Sequence, residues 1–297
     1  MKRYLFIFML LMVALQAAVA QKPDTAQILV HYKFSYVRDT NNRAHPYTEN
    51  MVLFVGKSAS SYRSYDTQLQ NELYRKQLQE QVSAGGNFRL DHKITGSGTE
   101  YYQLINSKKL IRKEMLVNPY IINDVLPVIN WHISGENANF GELHCQKATC
   151  HLKGRDYTAW FCPDLPVHAG PWKLNGLPGV IVEAYDAKKE VVFKFDGVEK
   201  AVLGARKPIK DRHGRVLVPL DDDAGDTDPD IIQVPVNGIK TTNKEFEKLS
   251  NAMHKDPSVI AQSMAAKTQN NGGPRADIDS KVTHQPSVNN PIELPEK

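Results

Sequence analysis

The chain has 297 residues, enough for one large or two ordinary domains. Its formal net charge of +4 is spread over 37 basic and 33 acidic side chains. Short groups such as Lys108-Lys109 and Arg112-Lys113 form no basic patch with interleaved aromatics, which excludes nucleic acid as the expected partner. Three Cys are too few for a disulfide-stapled scaffold.

The N-terminus reads as an export signal. Met1-Lys2-Arg3 is basic, Leu5 to Leu15 carries no charge, and Ala18-Val19-Ala20 supplies small residues where a signal peptidase reads. The pattern predicts a cleavable signal peptide over residues 1–20, with the mature chain starting at Gln21. No Cys follows Ala20 for lipid attachment, and no later stretch approaches the ~18 apolar residues of a spanning helix. The expected protein is therefore exported to the periplasm, the outer envelope or the medium, and is not an integral membrane protein.

Ile28 to Tyr36 alternates apolar and polar residues with the period of a half-buried strand. Met51 to Val55 and Ser60 to Tyr65 form a hairpin pattern about Gly56-Lys57-Ser58. Asp66 reads as an N-cap for a helix over Gln68 to Val82, with Leu69 and Leu73 four apart and Leu78 and Val82 likewise, stopped by Gly85-Gly86. Residues 88–151 return to β pattern, with strands expected at Tyr101 to Ile105, Leu110 to Val117 and Val128 to Ile133. His144 to Leu152 and Tyr157 to Cys162 flank a turn, and Val180 to Tyr185 and Val191 to Phe195 form another hairpin about Lys188-Lys189. Val216 to Leu220 and Ile231 to Val236 enclose an acidic loop from Asp221 to Asp230. Thr242-Asn243-Lys244-Glu245 is a capping box that opens a second helix, and a short third one follows Pro257.

From Thr268 the chain has too few apolar residues to pack. The expected organisation is a single β-rich domain over 21–267 and a mostly irregular or disordered tail over 268–297. Many short strands, with no alternation of strand and helix, predict a β-rich α+β fold. A curved antiparallel sheet should carry two or three helices on one face or at an edge.

Trp160-Phe161-Cys162 leads into Pro163 to Gly179, a loop controlled by Pro and Gly, and then the apolar Val180-Ile181-Val182. Pro178-Gly179 fits the central positions of a type II turn, in which Gly takes a positive φ. Such a loop either orders the flanking hairpins or presents a binding surface of Trp160, His168 and Trp172 from a stiff frame, with Gly176, Leu177, Pro178 and Gly179 shaping it.

The segment Trp160 to Val182, and above all Gly176-Leu177-Pro178-Gly179-Val180-Ile181, resembles the GLPGLI family of exported Bacteroidota proteins. Further resemblance lies in a strand ending at Trp131, in Cys145-Gln146-Lys147-Ala148, Gly154-Arg155, Ala159-Trp160-Phe161, Thr241-Thr242 and Asn290-Pro291-Ile292-Glu293. Val180 replaces the family's usual Leu, Cys162 stands where the family commonly has Thr, and Cys150 is additional. The resemblance implies an exported, β-rich envelope protein working beside outer-membrane nutrient-uptake systems, with an outer-membrane or envelope protein as partner.

With Gly154 and Arg155 at the hairpin tip, Cys150 faces Ala159 and Cys162 faces Lys147, so a Cys145–Cys162 bridge would be diagonal. A one-residue bulge would change that, and the disulfide pairing among Cys145, Cys150 and Cys162 stays open. The same three Cys with His144, His151 or His168 are the donors for a soft metal such as Cu(I) or Zn, although no C-x2-C pair is present. In the acidic loop Asp226, Asp228 and Asp230 alternate, but Ile231 stands where an EF-hand needs Gly and no Glu closes it, which predicts a solvated turn. The common nucleophile, metalloprotease and phosphate-loop motifs are absent, and no cofactor is implied. The leading expectation is a binding or accessory protein of the envelope. A metal-handling protein is the alternative, and a hydrolase with an unrecognised site the second.

Overall fold

The computed structural model describes residues 23–84, 96–116, 118–202, 204, 209–210, 213–214, 230–255 and 288–296. The expected signal peptide, the Gly85-Gly86 stop, the strand over 216–220, most of the acidic loop and the helix after Pro257 lie outside these residues.

The chain forms β1 (Asp24–Thr25), β2 (Ile28–Tyr36), β3 (Tyr47–Val55), β4 (Ala59–Ser64), α1 (Tyr65–Ser83), β5 (Glu100–Leu104), β6 (Lys109–Met115), β7 (Pro119–Val125) and β8 (His132–Phe140). It continues through β9 (Leu143–Leu152), β10 (Arg155–Cys162), β11 (Val180–Asp186), β12 (Val191–Lys200), β13 (Ile231–Ile232), β14 (Ile239–Thr241) and α2 (Asn243–Lys255). Twelve strands make one sheet in the order β14-β7-β6-β5-β4-β3-β2-β12-β11-β10-β9-β8, and β1 pairs with β13 beside it. The chain starts in the middle at β2, meanders to β7, crosses to the far edge and meanders back from β8 to β12, which closes on β2. All pairs are antiparallel except β14 on β7, so the architecture is the expected β-rich α+β sheet, mixed at one edge.

The connectivity forces the sheet to curl. In a flat sheet β7 and β8 would stand ten strand spacings apart, roughly 48 Å, yet the chain from Val125 to His132 can reach at most about 25 Å. Gln103 of β5 and Tyr157 of β10 both touch Trp172, so the face they share is the concave one. One row across that face is read directly from the register: Val30, Leu53, Tyr62, Tyr101, Arg112 and Ile122 stand opposite one another in turn. On the convex face Leu29, Val52, Phe54, Tyr102, Leu104, Ile111 and Ile121 pack beneath Ala26 and Ile232.

Some elements differ from expectation for physical reasons. The cap of α1 is Ser64, whose hydroxyl accepts from the Thr67 N–H. Asp66 instead turns back to β3, where its carboxylate accepts from the backbone and side-chain amides of Asn50. Leu69 and Leu73 are exposed, and the helix buries Arg75 and Leu78. The capping box at α2 forms as expected: Glu245 N donates to Thr242 Oγ1 at 3.3 Å and Thr242 N to Glu245 Oε2 at 3.2 Å. Of the strand expected over Val128 to Ile133, only His132 and Ile133 pair, as the start of β8; Val128 to Trp131 is the crossover, because its apolar Ile129 and Trp131 pack on the core from a connection. The neighbouring β8 is rich in Asn, Glu and Gly, residues that strand propensity disfavours. Among the described residues, no helix is long and apolar enough to cross a membrane.

Candidate functional site

Three pieces meet on the concave face: the Pro/Gly loop between β10 and β11, the C-terminal segment 288–296, and an open area of tyrosines and charges. The loop fills one half. Across β9, β10 and β11 the paired positions Ala148, Ala159 and Ala184 carry only methyl groups and are fully buried. The room over these three strands is taken by Trp172, Leu174 and Leu177, all at most 1% exposed. Trp172 lies 6.0 Å from the Tyr157 ring and stacks on Phe193 at 6.4 Å. The buried Gln103 amide on β5 donates to the carbonyls of Gly170, Trp172 and Leu174 at 3.0–3.1 Å. Trp131 of the crossover donates its indole N–H to Asn175 O at 2.8 Å, and Asn175 donates to Pro127 O at 3.1 Å.

The loop is thus a plug rather than a displayed surface. Of the residues expected to form a binding surface, Trp172, Leu177 and Gly179 are buried, Trp160 is half-buried against Phe140, and only His168, Gly176 and Pro178 are exposed. Trp172 sits at φ 55°, a left-handed conformation that an aromatic residue adopts only when its surroundings impose it. Here the Gln103 amide fixes its carbonyl and the core fixes its ring. Pro178 and Gly179 do not form the type II turn. Gly179 N donates to Leu177 O at 2.8 Å in a three-residue γ-turn. Gly is required at 179 because a Cβ there would fall on the Cys162 carbonyl.

The hairpin tip corrects the cysteine geometry. Lys153 and Gly154, at φ 51° and 69°, form the two-residue turn, so Arg155 pairs with Leu152 and Cys150 with Tyr157. That shift by two residues puts Cys145 opposite Cys162, and these two are joined in a disulfide with a Cα separation of 4.1 Å. Cys150 keeps a buried thiol, and burial pushes its pKa up to about 12. His144 and His151 are exposed and pair with Asp164 and with Asp156 and Glu296 respectively. Among the described residues, no three or more His, Cys, Asp or Glu side chains are grouped to hold a metal.

At the mouth of the plug lies Arg155, 4% exposed. Its five N–H donors are all used: on Asp186 (2.8 Å) and Glu190 (3.1 Å), and on Asn290 Oδ1 (2.7 Å), Pro291 O (2.8 Å) and Ile292 O (2.9 Å). Burial alone would raise the Glu190 carboxyl. Hydrogen bonds from Arg43, Arg155 and Asn290 outweigh it and hold Glu190 below the usual range. The Gly154-Arg155 and Asn290-Pro291-Ile292 pieces, far apart in sequence, are therefore one site.

The other half of the concave face is open. Tyr47, Phe34, Tyr101, Arg112 and Glu114 line it half-buried, above the buried Tyr62 and Glu49. Glu49 accepts from Tyr47 Oη at 2.6 Å and from Ser97 N at 2.9 Å. Gly96 permits that approach, since a Cβ would come within 2.6 Å of Glu49 Oε1. Glu114 accepts from Thr99 Oγ1 at 2.7 Å and pairs with Arg112 at 3.1 Å, and Arg112 also donates to Asn243 of α2 at 2.8 Å. Burial raises the Glu114 carboxyl and the Tyr47 and Tyr101 phenols; Arg112 pulls Glu114 and Tyr101 back only in part. Convergent ionisable groups with displaced pKa values in an aromatic concavity are the ordinary marks of a binding site. Nothing in the linear sequence marked these residues. Only the cross-strand register brings Tyr62, Tyr101 and Arg112 side by side.

The class defined by this architecture is a β-rich α+β protein built on an open, coiled sheet plugged by its own loop. A family described as "Protein of unknown function (Porph_ging)" matches residues 151–183, the β9 end, β10, the plug and β11. No curated protein matches the chain. Two crystal structures of PNGF-II, in space groups P21 and C2, resemble it with TM-scores of 0.44 and 0.45 at 10% and 11% identity. Each comparison covers 75% of this chain and 32% of the other, so the chain spans about a third of their length. Likeness at that level carries no functional argument.

Proposed function

We propose that this chain is an exported envelope protein that binds a partner or ligand on the open half of its concave face. The observation that carries the reading is the contrast in that face. One half is filled by the plug, and the other leaves Tyr47, Tyr101, Arg112 and Glu114 partly exposed despite the electrostatic cost of keeping Glu114 there. The basic, apolar and small-residue order of residues 1–20 and the resemblance to the GLPGLI family support export.

A photo-crosslinking residue at Tyr101, in the full chain expressed in its native host, tests the binding reading. The control carries the same group at the exposed Lys194, on the opposite sheet face. A defined adduct at 101 that is absent at 194, and is lost on adding Arg112→Ala, supports the site. Adducts at 194 alone, or at neither position, overturn it. N-terminal sequencing of the protein recovered from cells should begin at Gln21; an intact Met1 would refute export by cleavage.

A further inference from the structure

Residues 288–296 touch five separate parts of the protein, yet they join no strand ladder. They are held by side chains and by scattered single backbone bonds. The reading of Asn290 is complete. Its N–H donates to Arg38 O (3.1 Å), its side-chain amide donates to Val37 O (2.7 Å) and Glu190 (3.0 Å), its Oδ1 accepts from Arg155, and its carbonyl accepts from the Tyr36 hydroxyl. The next two carbonyls, of Pro291 and Ile292, are both taken by the same guanidinium. Ile292 packs against the main core. Glu293 pairs with the buried Lys173 of the plug at 2.6 Å. Leu294 N donates to Lys153 O at 2.9 Å. There the chain passes so close that a Cβ on Gly154 would meet Leu294 Cβ at 2.7 Å.

We propose that the Arg155 cradle is a peptide-recognition site, reading the order Asn-Pro-Ile-Glu, and that the chain's own tail is its separable resident ligand. The physical basis is the form of the contact. A strand that belongs to a sheet is held by a ladder whose bonds are indifferent to side chains. Here the bonds read one side chain in full, and a charged hydrogen-bonding fork fixes the following backbone, which is how extended segments are captured by side-chain recognition. A second segment of the same chemistry, including the tail of another copy, would fit the same cradle. The resident tail excludes it because, being on the same chain, it binds intramolecularly.

The experiment uses the full chain in two forms, wild type and Asn290→Ala, with a fluorescent peptide of the sequence Val288–Glu296 as probe. The substitution weakens only the resident tail and leaves the cradle intact. The expected result is saturable binding of the peptide to the variant and binding at least ~100-fold weaker to the wild type. A peptide carrying the same Asn290→Ala change should bind neither. Failure of the peptide to bind a variant that keeps its disulfide and its wild-type circular dichroism overturns the proposal. So does an Asn290→Ala chain that no longer folds, since the tail is then a part of the fold and not a ligand. Equal binding of the native and altered peptides also overturns it, because the cradle would not be reading Asn290.

Discussion

The two halves of the concave face are made from the same strands and the same alternation, but they end in opposite states. On β9, β10 and β11 the inward positions narrow to Ala148, Ala159 and Ala184, and a loop from the same chain fills the space they leave. On β3 to β6 the inward positions widen to Tyr47, Tyr62, Tyr101, Arg112 and Glu114, which the plug does not fill and which the 96–99 segment and the start of α2 meet at one edge. Small inward residues invite the chain to cover itself. Large, hydrogen-bonding ones hold a concavity open at the cost of partly dehydrated charge. The difference separates a half filled by the chain itself from the half to which the proposed function assigns a partner.

The comparison is broken most severely at Arg155. Replacing it with Ala leaves Asp186 buried without its cation and Glu190 with Arg43 alone, loosens the tail, and should cost about 3–5 kcal/mol in denaturant unfolding. Acid should act on the same cluster. Glu190 has a folded pKa below its unfolded value of about 4.3. Its stabilisation is therefore present above that pH and is lost as pH falls through the folded value. Unfolding followed from pH 6 to pH 3 should show a fall that Glu190→Gln reduces.

Next comes the covalent anchor of the plug. The bridge spans a sequence separation of 17, for which the chain-entropy account gives about 3 kcal/mol. A Cys145→Ser/Cys162→Ser variant should lose about that much by chemical denaturation. The untouched protein should show no thiol reactive with a disulfide reagent until it is unfolded, and then one, because burial keeps Cys150 protonated. A thiol that reacts in the folded state would mean that the sealed half breathes.

A smaller loss is expected at Gln103, which ties the far side of the sheet to the plug's backbone. Gln103→Met keeps the volume and strands three buried carbonyls, at a cost of about 1–3 kcal/mol. It should also release the left-handed backbone at Trp172, visible as faster amide exchange over residues 170–175.

How much of this was legible follows the same division. Ile28–Tyr36 was readable because its inward residues are apolar or aromatic throughout and most of the opposite ones are polar, Leu29 in the convex core excepted. The capping box at Thr242 was readable because its chemistry is local. The β8 strand was hidden because its Asn, Glu and Gly are held there by pairing and not by propensity. The disulfide turned on which two residues formed the tip, a choice decided by the positive φ of Lys153 and Gly154. The plug's motif was conspicuous in sequence, but its direction was not. Trp172 faces inward because of Gln103, which stands on another strand and carries no motif. The open site has no sequence signature at all, since Tyr62, Tyr101 and Arg112 become neighbours only through register.

The finest test asks whether the open half is built for binding at the expense of stability. Burial raises the Glu114 carboxyl above its unfolded value, with Arg112 and Thr99 offsetting only part of the effect. Such a group favours the fold at pH values below its unfolded pKa, and that contribution is lost as pH rises through the folded value. At neutral pH the ionised Glu114 therefore weighs against folding. Glu114→Gln keeps the acceptor for Thr99 and removes the charge, so its effect should have the opposite sign to every substitution above: a small rise in midpoint at pH 7 that shrinks as the pH approaches 4. If the open half is a binding site, the same variant should lose the adduct formed at residue 101 while becoming more stable. A variant that is destabilised instead would mean that the Arg112 ion pair outweighs the dehydration of Glu114. The open half would then be structural like its neighbour, differing from it only in being uncovered.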